Sequence, residues 1–392
     1  MTKRPMWVLL PIVALGLAAC GGGDDGGDEG AATPEETGAA GGGEGLTVGV
    51  SWNNFNEERW AKADERGMLD VFGEEGVEYI STDAGSSVEQ QATDIENLIS
   101  QGADALIVLA QDGTAVLPSV EAAADQGIPV IAYDRLIETD KAFYLTFDNV
   151  EVGRMQARAI YDLVPEGNYV FIKGNSADAN ADFLRSGQEE VLTELAGCEA
   201  ITPDNPDPNC PIKNVGESYT DNWAGEVAQQ NMEQFLTQNN NDVDAVISSN
   251  DGMALGVIAA LEAQGLAGSV PVSGQDGDAA NLNNIALGNQ AVDVWKNALE
   301  LGRVAADIAV QLAGGTTFEE VSLTGDYGDS APAAGPDAQP FETPGGTTVW
   351  SIILTPIPIT QDNLDVVIDA GWVTQDEVCQ GDVDTAAVPA CA

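Results

Sequence analysis

No histidine occurs in the 392 residues, so the commonest general base of hydrolytic enzymes is absent. Basic residues are scarce as well: 14 Lys and Arg stand against 64 Asp and Glu, a net charge of −50. Such a surface repels phosphate backbones and anionic lipid, which makes nucleic acid and acidic substrates poor partners. No P-loop, dinucleotide fingerprint or G-x-S-x-G elbow is present. Cysteines number five, and with no C-x-x-C pair and no histidine beside them they make a poor metal set. The stretch Asp204 to Asn209 has the composition of a calcium loop. It lacks the loop's sixth-position Gly and twelfth-position Glu, since Asn209 and Val215 stand there.

What is present begins with a processing segment. Lys3 and Arg4 precede an apolar run, Trp7 to Ala19, well short of the ~20 residues of a spanning helix, and Leu17-Ala18-Ala19-Cys20 follows. Small residues before a Cys that glycines follow resemble the lipobox of bacterial lipoproteins. That resemblance implies a signal peptide over 1–19, cleavage before Cys20, and a lipid on Cys20 as the chain's one attachment to a membrane. Residues 20–45 are an acidic, Gly-rich stretch suited to a flexible tether. With Cys20 set aside, Cys198 with Cys210 and Cys379 with Cys391 remain, and an even remainder in an exported chain predicts two local disulfides.

An apolar content of 44% over this length is ample for two domains. From Leu46 onward short apolar runs alternate with helical patterns. LTVGV (46–50), Val77 to Ile80, ALIVL (105–109), IPVIA (128–132) and Phe143 to Phe147 read as strands. Val88, Ala92, Ile95 and Ile99 recur on one helix face. The second half repeats the rhythm with NYVFI (168–172), Val215 to Tyr219, DAVIS (244–248), VPVSG (270–274) and AVDVW (291–295). Strands alternating with helices predict parallel sheets, and two such sets predict an α/β fold of two Rossmann-like lobes. Residues 325–346 read as a loop, and Pro356 and Pro358 as a stiff pass between the lobes. The expected division is 46–147 with 297–330 in the first lobe, and 148–296 with 345–392 in the second.

Ligands of open α/β sheets bind at the carboxyl ends of strands. Polar groups gather at those ends here: Arg59 with Trp60, Asp134 with Arg135, Asp178 with Asn180, Trp223, Asn250 with Asp251, Asp276 and Lys296. A sugar donates and accepts through its hydroxyls, so carboxylates and amides facing cations suit it. An Arg fork can bond two adjacent hydroxyls. Indoles, Trp60 and Trp223 here, can cover the apolar faces of a pyranose. Taken singly, an Asp or Asn after a strand is usually a helix N-cap; recurrence in both halves is what favours a binding site.

Several segments resemble the periplasmic sugar-binding proteins of ABC importers, the cluster of ribose, galactose and xylose binders. They are ERW (58–60), GADALIVL (102–109), AYDRLI (132–137), FDNVEVG (147–153), VPEGNY (164–169), DANADFLRSGQ (178–188), DAVISSND (244–251), ALEAQGLAG (260–268), SGQDGD (273–278) and LTPIPIT (354–360). The resemblance runs in order from residue 46 to about 370. It implies the periplasmic binding protein type I fold, two lobes joined by a three-segment hinge that close on a monosaccharide, D-xylose foremost. It implies hydrogen bonds from Arg59, Asp134, Arg135, Asp178, Asn180, Asn250, Asp276 and Lys296, and stacking by Trp223 and Trp60. The implied partners are an ABC permease and its ATPase, for a monomeric, extracytoplasmic, non-enzymatic protein without cofactor or metal. SWNNFNE (51–57) departs from the family's more charged approach to ERW, and the two cysteine pairs are additions.

Other readings fare worse. A glycoside hydrolase would need a protonated acid among Asp134, Asp178 and Asp276, yet each has a cation or amide nearby that keeps it ionised. Asp276-Gly277-Asp278 has the D-x-D form of a glycosyltransferase metal site, but one ligand Asp beside one N-cap Asp explains it as well. A repressor of this fold would need a basic helix-turn-helix where this chain has an acidic tether. A lipoprotein that reports sugar to a sensor kinase would look the same in sequence.

Overall fold

The computed structural model describes residues 42–204, 207–325 and 327–392. The expected signal peptide, Cys20 and all but the last four residues of the expected tether lie outside them. Strands β1 (Thr47–Trp52), β2 (Glu78–Asp83), β3 (Ala105–Val108), β4 (Val130–Tyr133) and β5 (Ala142–Phe147) alternate with helices α1 (Glu65–Glu75), α2 (Val88–Ser100) and α3 (Leu117–Ala124). Helix α4 (Asn149–Leu163) opens a second set: β6 (Gly167–Ile172), α5 (Ala179–Ala196), β7 (Ile212–Ser218), α6 (Gly225–Gln238), β8 (Ala245–Ser248), α7 (Asp251–Ala263), β9 (Ser273–Gln275), α8 (Ala279–Leu287) and β10 (Val292–Trp295). The chain continues through α9 (Ala298–Ala313), β11 (Gln339–Glu342), β12 (Thr348–Leu354), β13 (Ile357–Ile359), α10 (Asp365–Asp369) and α11 (Gln375–Val378).

The first sheet has the order β11-β12-β5-β4-β3-β1-β2, parallel except for β11. Its central strands β3, β4 and β5 are buried along their whole length, which is why they read as continuous apolar runs rather than alternating ones. Core clusters cover both faces, one around Trp52, Phe143 and Leu301, the other around Leu98, Leu106 and Tyr144. The second half holds two three-stranded sheets, β7-β6-β8 and β13-β10-β9. A parallel bridge between Val246 and Val272 joins them edge to edge.

Three crossings connect the first sheet with the other two: β5 into α4, β10 into α9, and β12 into β13. Asp148 caps α4 through the Glu151 amide at 2.9 Å, and Asn297 caps α9, so both helical crossings have defined starts. The third crossing passes through Thr355 and Pro356, where the sequence suggests a stiff pass. Pro358 sits in β13 on the edge of its sheet, where a missing N–H is tolerated.

Two expectations need correction. Thr348–Leu354 pairs in parallel with β5 in the first sheet, so this stretch does not belong with the second half as the 345–392 boundary supposed. The two prolines constrain only the residues beyond Leu354; VWSIIL itself is an apolar, β-prone run that the sheet takes up. Within the expected loop 325–346, Gln339–Glu342 forms an antiparallel strand on β12, where Pro340 is accommodated because β11 is an edge. Cys198 is bonded to Cys210 with Cα atoms 5.4 Å apart, and Cys379 to Cys391 at 5.6 Å. Among the described residues no helix is long and apolar enough to cross a membrane.

Candidate functional site

The carboxyl ends of the strands in both halves open onto one narrow cavity. Arg59, Trp60, Asp134, Arg135, Asp178, Asn180, Trp223, Asn250, Asp276 and Lys296 all line it, and so do Glu57 and Gln275.

Local structure explains each placement. Arg59 immediately precedes a π-helical turn, Trp60–Asp64, a device often found where a helix aims a functional side chain. Its guanidinium is 2% exposed and grips Asp64 through one edge, Nε to Oδ2 at 3.1 Å and Nη2 to Oδ1 at 2.9 Å. The remaining nitrogen, Nη1, points into the cavity, 3.1 Å from Asp276 Oδ1 and 3.3 Å from Asp134 Oδ2. Trp60 packs beside Trp52 in the core, carries the Arg59 guanidinium 4.3 Å above its ring, and donates its indole N–H to Glu57 at 2.7 Å. It serves as a staple and as a wall of the cavity at once.

Asp134 and Arg135 leave the tip of β4. Asp134 takes a left-handed backbone (φ +59°), receives Lys296 Nζ at 3.4 Å and the Asn180 amide at 3.3 Å. Arg135 donates to Ala110 O at 3.2 Å and pairs with Asp178 at 3.0 Å and Glu57 at 3.4 Å. From the second half, Asp178 caps α5 through the Asn180 amide with one oxygen and takes the Trp223 indole N–H at 3.2 Å with the other. Asn250 caps α7 through the Met253 amide at 3.1 Å. Asp178 and Asn250 are therefore at once helix caps and part of the cavity lining.

Trp223 follows the tip of β7, ends a 3-10 turn and has φ +55°. Its ring lies against Gly174, where a Cβ would come within 2.2 Å of the indole carbons, so only glycine leaves room. Asp134, Asn222, Trp223 and Asp276 (φ +107°) are four of the non-glycine residues with positive φ among the described residues. Strain of this kind, about 1–3 kcal/mol each, collects where a site must aim its side chains.

Burial and charge act together here. Burial by itself would raise the Asp134 carboxyl, but Lys296, Arg59 and Arg135 hold it below the ordinary carboxylate value. Asp178 is raised, burial outweighing Arg135. Asp64, fully enclosed, is pushed up to about 6 by burial in spite of Arg59. Burial works against the Arg59 charge, yet Asp64, Asp134 and Asp276 overcome it and raise its pKa well above the usual value. The cavity thus offers carboxylate acceptors interleaved with permanent cations, nearly balanced in sign, beside two indole surfaces. Balanced hydrogen-bonding charge suits a neutral polyhydroxylated ligand.

Glu57, Gln275 and Asp64 were not singled out in sequence. Glu57 adjoins ERW and Gln275 adjoins Asp276, so proximity could have suggested both. Asp64 stands five residues after Arg59, a spacing that meets only because the turn between them is π-helical. Among the described residues no group of three or more Asp, Glu, Cys or His side chains could hold a metal ion.

The family model for the periplasmic binding protein domain matches residues 48–317. The D-xylose-binding periplasmic protein of Escherichia coli (strain K12) is 36% identical over 336 residues, 85% of this chain and 92% of that relative. The D-xylose-binding periplasmic protein of Haemophilus influenzae is 35% identical over 335 residues, with the same 85% and 92% coverage. An ABC transporter solute binding protein from Clostridium phytofermentans, solved with bound β-D-glucose, superposes with a TM-score of 0.69 at 27% identity, over 85% of this chain and 99% of that one. These relatives are binding proteins and not enzymes, which agrees with a site that holds its carboxylates in ion pairs. The chain belongs to the periplasmic binding protein family.

Proposed function

We propose that this chain is an extracytoplasmic, lipid-anchored binding protein of an ABC sugar importer, which takes a monosaccharide, D-xylose foremost, between its two halves and delivers it to the permease. The observation that carries this reading is the convergence of twelve polar and indole side chains from both halves on one small cavity. Two relatives named for D-xylose, each more than a third identical over most of the chain, support the choice of sugar. The lipid on Cys20, the ATPase partner and a monomeric state are part of the same proposal and rest on the sequence.

The chemistry arises from the pairs already in place. Arg59 Nη1, Lys296 Nζ and Arg135 are donors; Asp134, Asp178 and Asp276 are acceptors; all are desolvated. A hydroxyl inserted between members of such a pair gives one bond and receives another. Each bond to a charged partner contributes roughly 1.5–3 kcal/mol. Three or four of them with ring contacts suffice for a micromolar complex, about −8 kcal/mol, after the cost of association. A thermal-shift panel of xylose, glucose, ribose and arabinose tests the assignment: xylose should raise the melting temperature most, and a larger shift with another aldose would reassign the sugar.

A further inference from the structure

Below the cavity floor two carboxyl groups face each other without a cation. Asp251, the first residue of α7, and Asp293, in the middle of β10, are both fully buried. Both accept the Gly277 N–H, at 3.1 Å and 3.2 Å. Asp251 also takes the Asp278 N–H at 2.8 Å and Gln290 Nε2 at 3.3 Å. Its carboxyl fits because residue 274 is glycine: a Cβ there would lie 2.1 Å from Asp251 Oδ1. Asp293 Oδ2 has no N–H or O–H donor. No Lys or Arg among the described residues forms a salt bridge with either carboxyl; the nearby Arg59 and Lys296 are engaged by Asp64, Asp276 and Asp134.

Two ionised carboxylates cannot share such a pocket, whereas one proton between them satisfies the orphan oxygen and halves the charge. We propose that Asp251 and Asp293 are positioning residues that share one proton and, through the Gly277 and Asp278 amides, hold the turn that presents Asp276 to the ligand. The backbone is clamped on both sides of Gly277, so the φ +107° of Asp276 is imposed from beneath. Loss of the shared proton would set two like charges against the same N–H and loosen the turn. This inference rests on reading the cavity as the sugar site.

The groups that face the pair are few. The β9–α8 turn brings Asp276, whose charge adds to the repulsion, and the part-buried Asp278, itself raised well above its usual value by burial and by Asp251; Glu58 and Arg59 act from beyond Asp278. Helix α8 contributes neutral Asn281, and the turn after it neutral Gln290. Helix α4 presents neutral Gln156 to Gly274 O, while its Arg154 pairs outward with Glu151 and Glu190. Strand β13 presents Ile359 opposite Asp293. Burial and mutual repulsion raise Asp251 well above its usual value and Asp293 to about 7.

Calorimetric titration of D-xylose between pH 6 and 9 tests the proposal on wild type, Asp293→Asn and Asp278→Asn. Asparagine at 293 keeps an acceptor for Gly277 and supplies a permanent donor toward Asp251. Wild-type affinity should fall toward the alkaline end of this range, where the shared proton, held by Asp251 well above its usual carboxyl value, is lost. The fall should approach tenfold per pH unit once the turn must be reprotonated to bind. Asp293→Asn should bind near the wild-type pH 6 level and stay level across the range; Asp278→Asn should keep the pH dependence. A flat wild-type profile, or an Asp293→Asn profile that parallels wild type, overturns it. If no aldose binds at any pH, the sugar reading fails instead. The pair is then judged by a protonated-carboxyl infrared band at neutral pH: its loss in Asp293→Asn supports the shared proton, and its absence in wild type refutes it.

Discussion

Arg59 divides its guanidinium between two tasks, and the division makes its partners unequal. Two nitrogens are committed to Asp64 and one is left for Asp134, Asp276 and a ligand. Replacing Asp64 by Ala leaves two buried guanidinium nitrogens without their partner, so it should cost roughly 3–5 kcal/mol in urea unfolding as well as affinity. Asp276→Ala should leave the unfolding midpoint nearly unchanged and weaken D-xylose binding by at least about 30-fold, since a buried partner of charged hydrogen bonds is worth about 2–5 kcal/mol. Arg135→Lys keeps the charge and loses the fork that spans Asp178, Glu57 and Ala110; a loss of roughly tenfold in affinity is expected by calorimetry. A result in which Asp64→Ala and Asp276→Ala behave alike would erase the distinction between holding the site and being the site.

At the scale of elements, what the chain reveals of itself depends on how local the cause is. The β4 tip, Tyr133-Asp134-Arg135, is legible because an apolar run ends on two charged residues, and the folded β4 delivers both to the cavity. Strand β11 is not legible: Gln339–Glu342 carries a proline and is mostly exposed, and only its pairing with β12 makes it a strand. β12 was visible as a run but not as a member of the first sheet, because its partner β5 lies some two hundred residues earlier. Asp64 is hidden for the same reason, being defined by a partner that folding supplies. The disulfide between Cys198 and Cys210 illustrates the separation of stability from site. It closes a loop that enters β7 at the end opposite the cavity. The double Cys→Ser variant should lose about 2–4 kcal/mol of stability while keeping its D-xylose affinity, measured by denaturation and titration on the same preparation.

For the whole molecule, charge sets the conditions under which it is stable. Asp64 titrates near 6 and Asp293 near 7, both raised by burial from an ordinary value of 3.8. A carboxyl raised in this way contributes stability that is complete below its unfolded value and is lost as pH rises through its folded one. Asp134, lowered by its cations, gives up its contribution only as pH falls below 3.8. With a net charge of −50 adding self-repulsion, the melting temperature without sugar should rise as pH is brought from 8 to 5.5, and should rise with salt at pH 8. A melting temperature that falls on mild acidification would contradict the protonated state assigned to these buried groups.

The central claim is that side chains from two α/β halves grip one neutral sugar without altering it. Isothermal titration of D-xylose into the wild-type chain, with Trp223→Ala titrated alongside and the recovered sugar checked for change, tests it most directly. Expected are a single saturable site, unaltered xylose on recovery, and no measurable heat from a variant that remains folded. Equal affinity in Trp223→Ala, or xylose converted on incubation, would contradict it.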